Sequence, residues 1–250
     1  FVVAKQDPHL LRRFNLSVQV SDDFMQAVAD DASWPLVFPE HVLGETPCGN
    51  AETLQRHWPG EVGLVACRVV RRVAARDLWS RIMRATYDFA EPGVLFIDQI
   101  NRQNNLWYRE DISASNPCGE IPLPPYGACN LGSINLVCFV RSAFTAQAHL
   151  DIDAISATVG TAVRMLDNAI DASLFPLPRQ AEEARGSRRL GLGLTGLADA
   201  LIMLGLRYDS PAARELAAQA MRAICHAAYR TSVQLARDKC AFPYFDRERY

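Results

Sequence analysis

The sequence predicts an α/β fold in which short strands alternate with amphipathic helices. From Leu16 to Val20, apolar residues alternate with polar ones, which is the period of a strand with one buried face. In the second half of the chain, apolar residues recur at the spacing of one helix face, namely Ile155, Val159, Val163, Leu166 and Ile170. Strands that alternate with helices are typical of a parallel sheet covered by helices.

The first predicted helix follows the strand at 16–20 directly. Ser21 is a good N-cap, the two acidic residues after it suit a first helical turn, and the helix should reach about Ala29. The segment 31–63 is expected to be irregular and insertion-like because prolines and glycines interrupt it repeatedly. Its prolines are Pro35, Pro39, Pro47 and Pro59.

A second group of elements covers residues 64–105. We predict a strand at 64–70, and then a helix at 74–90 that the Pro92-Gly93 pair stops. The apolar run 94–97 predicts a short buried strand, and the amide-rich residues 101–105 predict a polar loop.

The remaining elements lie beyond residue 130. We predict a strand at 133–140 and a helix capped by Asp151. A strand at 188–194 should lead into a helix at 197–204. Ser210 then begins a long helix towards Asp238, with proline at the first helical position.

The composition narrows the class of protein. Hydrophobic residues make up 49% of the 250, which excludes wholesale disorder, and the net charge of −2 gives no sign of a nucleic-acid-coating surface. No apolar run reaches the roughly 18 residues that a membrane span needs. The seven cysteines are odd in number and form no C-x-x-C pair, which favours a reducing, cytoplasmic setting. We expect an internal fragment of a longer chain, since there is no initiator methionine.

The chemically richest stretch is 115–121, with the sequence Ser-Asn-Pro-Cys-Gly-Glu-Ile. Pro117 biases the residue before it towards an extended backbone. If the extended form continues, Asn116, Cys118 and Glu120 project from one face. Gly119 leaves the space beside the thiol open to a ligand. From the pattern alone, the alternatives are a buried structural cysteine, a solvated acid and a turn-forming asparagine.

Residues 116–120, together with the segment 128–136 (Ala-Cys-Asn-Leu-Gly-Ser-Ile-Asn-Leu), closely resemble the catalytic loop of ribonucleotide reductase large subunits. Proline before the cysteine resembles the class II, adenosylcobalamin-dependent branch. The resemblance continues through four further motifs in the order of the family, at residues 14–18, 90–94, 101–105 and 191–199.

This resemblance implies a fold. The chain should be part of a ten-stranded α/β barrel whose centre holds the catalytic finger loop. Residues 1–250 would then be a fragment of a single catalytic barrel domain. The chain alone would not complete a turnover.

The resemblance also implies a role for each site residue. Cys118 would carry a thiyl radical that takes a hydrogen atom from ribose C3′. Glu120 would be the general base for the 3′-hydroxyl, and Asn116 would hold that carboxylate or the substrate hydroxyl. Pro117 and Gly119 would complete the substrate-binding loop. Cys129 would be one of two thiols that supply electrons and end as a disulfide.

The implied cofactor is adenosylcobalamin, which would supply the radical that oxidises Cys118; no metal site is expected within the chain itself. The implied partners are a ribonucleoside di- or triphosphate, nucleotide effectors and a thioredoxin-type reductant. A homodimer remains open, while direct nucleic-acid or membrane binding is not expected. The family has the partner of Cys129 on an earlier barrel strand, so the resemblance implies that this partner precedes Phe1. Neither Cys48 nor Cys67 has the family's partner context.

Three alternatives remain. The first is the large subunit of a metal-dependent, two-subunit class I reductase. The second is a nicotinamide-binding oxidoreductase that uses Gly191, Gly193 and Gly196, although the approach to these glycines is basic and no acid follows at the usual distance. The third is a zinc or structural module, for which the usual closely spaced ligand pairs are lacking. The arginines at 71, 72, 76, 185, 188 and 189 are interpreted as solvated.

Overall fold

A computed structural model describes residues 1–7, 9–43, 52–58, 61 and 63–250. The chain divides into two compact units, Phe1–Pro125 and Tyr126–Tyr250. The first unit begins with a 3₁₀ helix at Ala4–Gln6 and continues with β1 (Ser17–Val20), α1 (Asp22–Ala29), β2 (Ser33–Pro39), α2 (Glu40–Leu43), β3 (Thr53–His57), β4 (Leu64–Ala74), α3 (Ala75–Phe89), β5 (Gly93–Phe96), α4 (Ile97–Arg102), β6 (Ala114–Ser115) and β7 (Pro122–Leu123).

The predicted strand and helix at the start of the chain are confirmed. β1 pairs in parallel with β5, with Ser17 opposite Gly93. The hydroxyl of Ser21 accepts a hydrogen bond from the amide of Phe24 and so caps α1 as predicted. Phe24 is buried and makes edge contacts with two tryptophan rings, Trp34 at 5.2 Å and Trp79 at 6.4 Å between centroids. These aromatic side chains form the core around α1 and α3.

The expectation of an irregular segment at 31–63 is wrong for the part that the structure describes, while residues 44–51, 59, 60 and 62 lie outside the described residues. The structure places β2 and β3 within it, on either side of β4, in an antiparallel sheet. β4 runs to Ala74, beyond the predicted end, and leads directly into α3. The prolines in β2 do not disrupt the sheet, since Pro35 and Pro39 lie in a strand that pairs along one side only.

The elements at 75–102 follow the prediction closely. α3 ends at Phe89, and Ala90 adopts the left-handed conformation that closes a helix. β5 follows after the proline at 92. The segment predicted as a polar loop at 101–105 begins inside the short helix α4, which ends at Arg102.

The second unit contains β8 (Asn130–Asn135), a 3₁₀ helix at Leu136–Phe139, β9 (Val140–Arg141), β10 (His149–Leu150), α5 (Ile152–Ala172), α6 (Pro178–Ser187), β11 (Leu190–Thr195), α7 (Leu197–Met203) and α8 (Pro211–Lys239). β8 pairs in parallel with β11 over six residues, and α5 packs against β8, β11 and α8. The predicted apolar stripe of α5 forms the core of this unit, and all five of its members are buried.

One prediction for this unit needs correction, and one helix was missed. The strand predicted at 133–140 begins earlier, at Asn130, and gives way to a 3₁₀ turn at Leu136. α6 was not predicted, and it begins at Pro178, which occupies the first helical position. Gly186, near the end of α6, makes room for the ring of Tyr244: a Cβ there would lie 2.2 Å from a ring atom.

Both parallel pairs, β1 with β5 and β8 with β11, fit the α/β class that the sequence predicts. In the described part of the chain the strands form small separate sheets, and no closed barrel is present. None of the helices in this part is both long and apolar enough to cross a membrane.

Candidate active site

The stretch 115–121 forms the tip of a short hairpin. β6 and β7 pair antiparallel, with Ala114 opposite Leu123 and Ser115 opposite Pro122. The amide of Ser113 donates to the carbonyl of Leu123 at 3.1 Å, which extends the ladder at its base. Cys118 therefore lies at the turn of a hairpin.

Asn116 closes this turn with its backbone and its side chain. Its backbone amide donates to the carbonyl of Ile121 at 3.1 Å, and its Oδ1 accepts from the amide of Ile121 at 3.0 Å. Its own carbonyl accepts from the amide of Gly119 at 3.1 Å. Asparagine is suited to this position because its short side chain can replace a backbone hydrogen-bonding group.

The extended backbone expected through 116–120 is wrong. Pro117 and Cys118 lie in a turn, and Gly119 has a left-handed φ of +86°. A two-strand hairpin must reverse direction between β6 and β7, and the turn that does so begins directly after Asn116. The alternation of side chains therefore gives no basis for placing Asn116, Cys118 and Glu120 on one face.

The reactive groups of the hairpin tip are open to solvent. Cys118 and Glu120 are both exposed. A Cβ added to Gly119 would meet no atom of the described residues within 4 Å. The expectation of open space beside the thiol is confirmed, and a ligand can approach the backbone here.

Side chains from the start of the chain hold the hairpin. Asn15 donates from Nδ2 to the carbonyl of Pro117 at 2.9 Å, directly before the thiol-bearing residue. Gln19, in β1, donates from Nε2 to the carbonyl of Ser113 at the base. The sequence analysis did not assign Asn15 a role, although it lies in one of the motifs, at 14–18. Its side chain anchors the candidate loop.

Two more asparagines, from the motif at 101–105, hold the segment that leads into the hairpin. Asn101 accepts from the amide of Ile112 at 2.7 Å and donates to the carbonyl of Ile112 at 2.9 Å, as a paired strand residue would. Asn104 accepts from the amide of Leu106 at 3.0 Å and donates to the carbonyl of Glu110 at 3.3 Å. The side-chain amides of this motif bind backbone groups of residues 106–112, as the backbone of a neighbouring strand would, and so fix the segment before β6.

Cys129 lies in the second unit, immediately before β8, and is half-buried. Its Sγ lies 3.7 Å from the carbonyl of Asn130, which accepts a weak hydrogen bond. Burial raises the pKa of the Cys129 thiol, while the positive charge of Arg189 opposes that shift. The group is therefore a protonated thiol at neutral pH.

The glycine-rich stretch 191–196 does not form a dinucleotide-binding turn. Gly191 and Gly193 lie inside β11, paired with Leu131 and Ser133 of β8, whereas the fingerprint needs its first glycine in the turn after a strand. Gly196 has a left-handed φ of +70°, and a Cβ there would lie 2.5 Å from Oδ1 of Asn135. These glycines allow β8, β11 and the start of α7 to pack closely.

Arg188 is not the solvated residue that the sequence analysis expected. Its Nε donates to Asp167 at 2.7 Å and its Nη1 to Asp171 at 2.7 Å. Lys239, at the end of α8, donates to the other oxygen of Asp167 at 2.8 Å and lies 3.3 Å from Asp171. We call these four residues the ion cluster. Sequence spacing gave no signal for it, because its members come from three separate parts of the chain.

The zinc alternative gains no support from the described residues, where no group of three or more histidine, cysteine, aspartate or glutamate side chains could hold a metal ion. Cys67 is fully buried in β4, and burial raises the pKa of its thiol. Cys48, another ligand considered for zinc, lies outside the described residues.

Comparison with known proteins agrees with the resemblance noted in the sequence. The family model described as "Ribonucleotide reductase, barrel domain" matches residues 1–250. A vitamin B12-dependent ribonucleoside-diphosphate reductase of Mycobacterium tuberculosis is 39% identical over all of this chain and 32% of its own length. Its counterpart in Thermoplasma acidophilum is 35% identical over 97% of this chain and 28% of its own length.

A more distant relative is the ribonucleoside-diphosphate reductase subunit alpha of Chlamydia trachomatis, 30% identical over 90% of this chain and 22% of its own length. The chain thus spans about a third or less of the length of each of these three relatives. Since the barrel-domain model matches the chain from its first residue to its last, the chain belongs to the ribonucleotide reductase barrel-domain family.

Proposed function

We propose that the protein containing this chain reduces ribonucleotides to 2′-deoxyribonucleotides. One observation carries the proposal: an exposed thiol, Cys118, lies at a hairpin tip with an amide residue and a carboxylate residue two positions away on either side. It does so in a chain that the reductase barrel-domain family matches throughout. Similar relatives are named ribonucleoside-diphosphate reductases, which favours a diphosphate substrate.

Cys118 is the proposed radical carrier. As a thiyl radical it takes the hydrogen atom from ribose C3′, which forms an S–H bond and leaves a carbon radical, and it later returns that hydrogen atom. A thiol with this task must contact the sugar directly. The exposure of Cys118 and the open space at Gly119 support that contact.

Glu120 and Asn116 are proposed to act on the ribose hydroxyls. The carboxylate of Glu120 accepts the 3′-hydroxyl proton while the protonated 2′-hydroxyl leaves as water. Across the residues that the structure describes, the Nδ2 of Asn116 donates no hydrogen bond, because only its Oδ1 is used within the turn. That Nδ2 is proposed to donate to a substrate hydroxyl, with Pro117 and Gly119 completing the binding loop.

Cys129 is proposed as one of two thiols that together give up two electrons and two protons and form a disulfide. Its raised pKa supports this role, since a protonated thiol can donate both a proton and an electron. By resemblance to the family, its partner belongs to another part of the longer protein. A thioredoxin-type dithiol would restore the pair, and nucleotide effectors would regulate the protein.

The cofactor that we propose is adenosylcobalamin, since the relatives from M. tuberculosis and T. acidophilum are named vitamin B12-dependent. When bound, it supplies the oxidising equivalent for the Cys118 thiol. The exposure of Cys118 and the open space beside Gly119 among the described residues leave this thiol accessible to an external oxidant.

The proposed architecture is a single ten-stranded α/β barrel to which residues 1–250 contribute. The parallel pairs β1–β5 and β8–β11 are the kind of pairing that such a barrel uses. The described cysteines are free thiols, which supports a reducing, cytoplasmic location. A homodimer remains an open proposal.

The test uses the full-length protein under anaerobic conditions with a ribonucleoside diphosphate and a dithiol. We expect deoxynucleotide to form only when adenosylcobalamin is added. Formation that instead requires a second, metal-bearing subunit would favour the class I alternative. If no deoxynucleotide forms from diphosphate or triphosphate under either condition, the proposal fails.

A further inference from the structure

We propose that Arg188 is a positioning residue for the thiol of Cys129. Through the ion cluster, it fixes the start of β11 and thereby the start of β8, which Cys129 immediately precedes. This inference rests on the proposed function only for its catalytic consequence. The positional claim itself concerns the surroundings of one thiol and can be tested separately.

The ion cluster is well suited to hold a fixed geometry. Asp167 is buried, with 6% of its surface exposed, and both of its carboxylate oxygens are used, by Arg188 and by Lys239. Arg188 binds Asp171 with two nitrogens, at 2.7 and 3.1 Å, and also donates to the backbone carbonyl of Asp167 at 2.9 Å. The planar guanidinium group thus bridges one turn of α5 at defined angles.

The cluster stays fully charged near neutral pH. Burial of Asp167 opposes its ionisation, but hydrogen bonds from Arg188 and Lys239 outweigh that effect and hold its pKa below the ordinary range. The hydrogen bonds that Arg188 donates to Asp167 and Asp171 raise the pKa of its guanidinium group. Two positive and two negative charges therefore face each other, without an uncompensated charge in the interior.

Arg188 occupies the junction between α6 and β11. It adopts a left-handed backbone with φ of +46°, and its amide donates to the carbonyl of Ala184 at 3.0 Å, which closes the helix. A non-glycine residue in this conformation is strained and must be held by its surroundings. The contacts of its side chain with α5 do so, and they set the direction in which β11 leaves the helix.

Two hydrogen bonds connect this junction to Cys129. The carbonyl of Arg189, the next residue after Arg188, accepts from the amide of Asn130 at 3.4 Å. The side chain of Asn130 donates from Nδ2 to the carbonyl of Leu166 at 3.0 Å. Leu166 directly precedes Asp167, so one turn of α5 holds both the start of β8 and the start of β11. Cys129 is the residue before Asn130.

A purely stabilising role for the cluster makes a different prediction. In that case, weakening the cluster would lower the melting temperature and leave the reactivity of Cys129 in the folded protein unchanged. Under our proposal, the same change loosens the start of β8, exposes the half-buried thiol and lowers its raised pKa towards the ordinary value. The alkylation rate of Cys129 separates the two.

The experiment compares Arg188→Lys and Asp171→Asn in the full-length protein with a matched control. Lysine keeps the positive charge but cannot bridge two carboxylates in the same way, and Asp171→Asn leaves the more buried pair intact. The control is Arg164→Lys, because Arg164 also joins α5 to α8, through an ion pair with Asp238 at 2.6 Å. Iodoacetamide labelling of Cys129 is followed by peptide mass spectrometry from pH 6.5 to about 9.5, a range that brackets the usual thiol pKa.

We expect Arg188→Lys to raise the labelling rate of Cys129 at neutral pH by about 5-fold, and Asp171→Asn by about 2-fold, through the larger thiolate fraction. Multiple turnover with a dithiol should slow in the same order. Labelling of Cys118, in the other unit, should stay unchanged and serves as an internal control. The Arg164→Lys variant should match the wild type throughout.

The proposal is overturned if both cluster variants lose stability while Cys129 labels at the wild-type rate. If Arg188→Lys does not fold, the labelling rate of Cys129 in the Asp171→Asn variant alone tests the proposal. A Cys129→Ser variant separates the positional claim about Arg188 from the proposed redox role of Cys129. If that variant sustains full multiple turnover, the proposed redox role of Cys129 fails, and the labelling rates still judge the positional claim.

Discussion

Cys118 and Cys129 are close in sequence, yet they have opposite surroundings. Cys118 is exposed at the tip of a hairpin whose strands contain two residues each. Cys129 is half-buried at the start of a six-residue strand that pairs in parallel with β11 and is backed by α5. Cys118 therefore lies on an exposed loop that other side chains must fix in place, whereas Cys129 directly precedes a strand that packs against α5.

The two regions are also held by different chemistry. Neutral amide side chains support the Cys118 hairpin through backbone carbonyls and amides, and Asn15 and Asn101 are the clearest cases. The Cys129 region is held by the charges of the ion cluster. Amides fix the loop without adding charge beside the exposed thiol, whereas ion pairs between α5, α8 and the start of β11 fix a half-buried part of the chain. Neutral amides thus support the exposed thiol of Cys118, and charged groups support the half-buried thiol of Cys129.

The largest effect is expected at the exposed thiol. In the full-length protein, Cys118→Ser should lower turnover by at least ~10³-fold, because a hydroxyl cannot carry the radical that the chemistry needs. Nucleotide affinity, measured by calorimetry, should remain near that of the wild type. Cys138→Ser is the matched control, since Cys138 is also an exposed free thiol. Turnover that survives in the Cys118 variant would remove the basis of the proposed mechanism.

The next largest effect is expected at Glu120. Glu120→Gln keeps the size of the side chain and removes the base, so turnover should fall by roughly 10²-fold, within the usual range for general acid–base catalysis. Because Glu120 is exposed, thermal stability should not change. A variant that turns over at the wild-type rate would show that another group accepts the proton.

The buried ion cluster should contribute mainly to stability. Asp167→Asn should lower the free energy of unfolding by roughly 2 kcal/mol near neutral pH, since it leaves Arg188 and Lys239 with one carboxylate instead of two. The measurement is denaturant unfolding at several pH values. Arg164→Lys, which weakens an exposed ion pair, should cost much less.

This stability difference has a defined pH dependence. The pKa of Asp167 lies below its ordinary value of 3.8, so its contribution is fully present above that value. As pH falls through the depressed folded-state pKa, the carboxylate is protonated and the contribution is lost. The gap between wild type and Asp167→Asn should therefore shrink at strongly acidic pH. A gap that stays constant or widens there would contradict the ionic explanation.

The smallest effect is expected at the neutral amide support. Asn15→Ala removes the donor to the carbonyl of Pro117 and should lower kcat by about 10-fold with little change in KM, because the thiol is misplaced while binding persists. Gln26→Ala is the control, since Gln26 also makes an exposed side-chain hydrogen bond, to Asp30 at 2.9 Å. Equal kinetics in the two variants would mean that Asn15 does not position the loop.

Local signals in the sequence predicted those elements whose stability is local. The cap at Ser21 and the apolar stripe of α5 define their helices without reference to the rest of the chain. The sheet of β2, β3 and β4 was missed because its strands are stabilised by one another, and prolines in β2 concealed the pattern. α6 was missed for a related reason: proline can either end a helix or begin one, and its position relative to neighbouring elements decides which.

At the candidate site, the sequence by itself identified which residues are candidates for the chemistry. The order of amide, thiol and carboxylate at 116, 118 and 120, and the thiol at 129, are visible as letters and match a family. Only the tertiary structure decided how these groups are presented. Asn116 closes a turn instead of extending a strand, Asn15 reaches the tip from far along the chain, and Arg188 turns inward to an ion cluster. Contacts between residues far apart in the chain fix Asn15 and Arg188, and no local preference encodes them, whereas the turn at Asn116 forms within the hairpin itself.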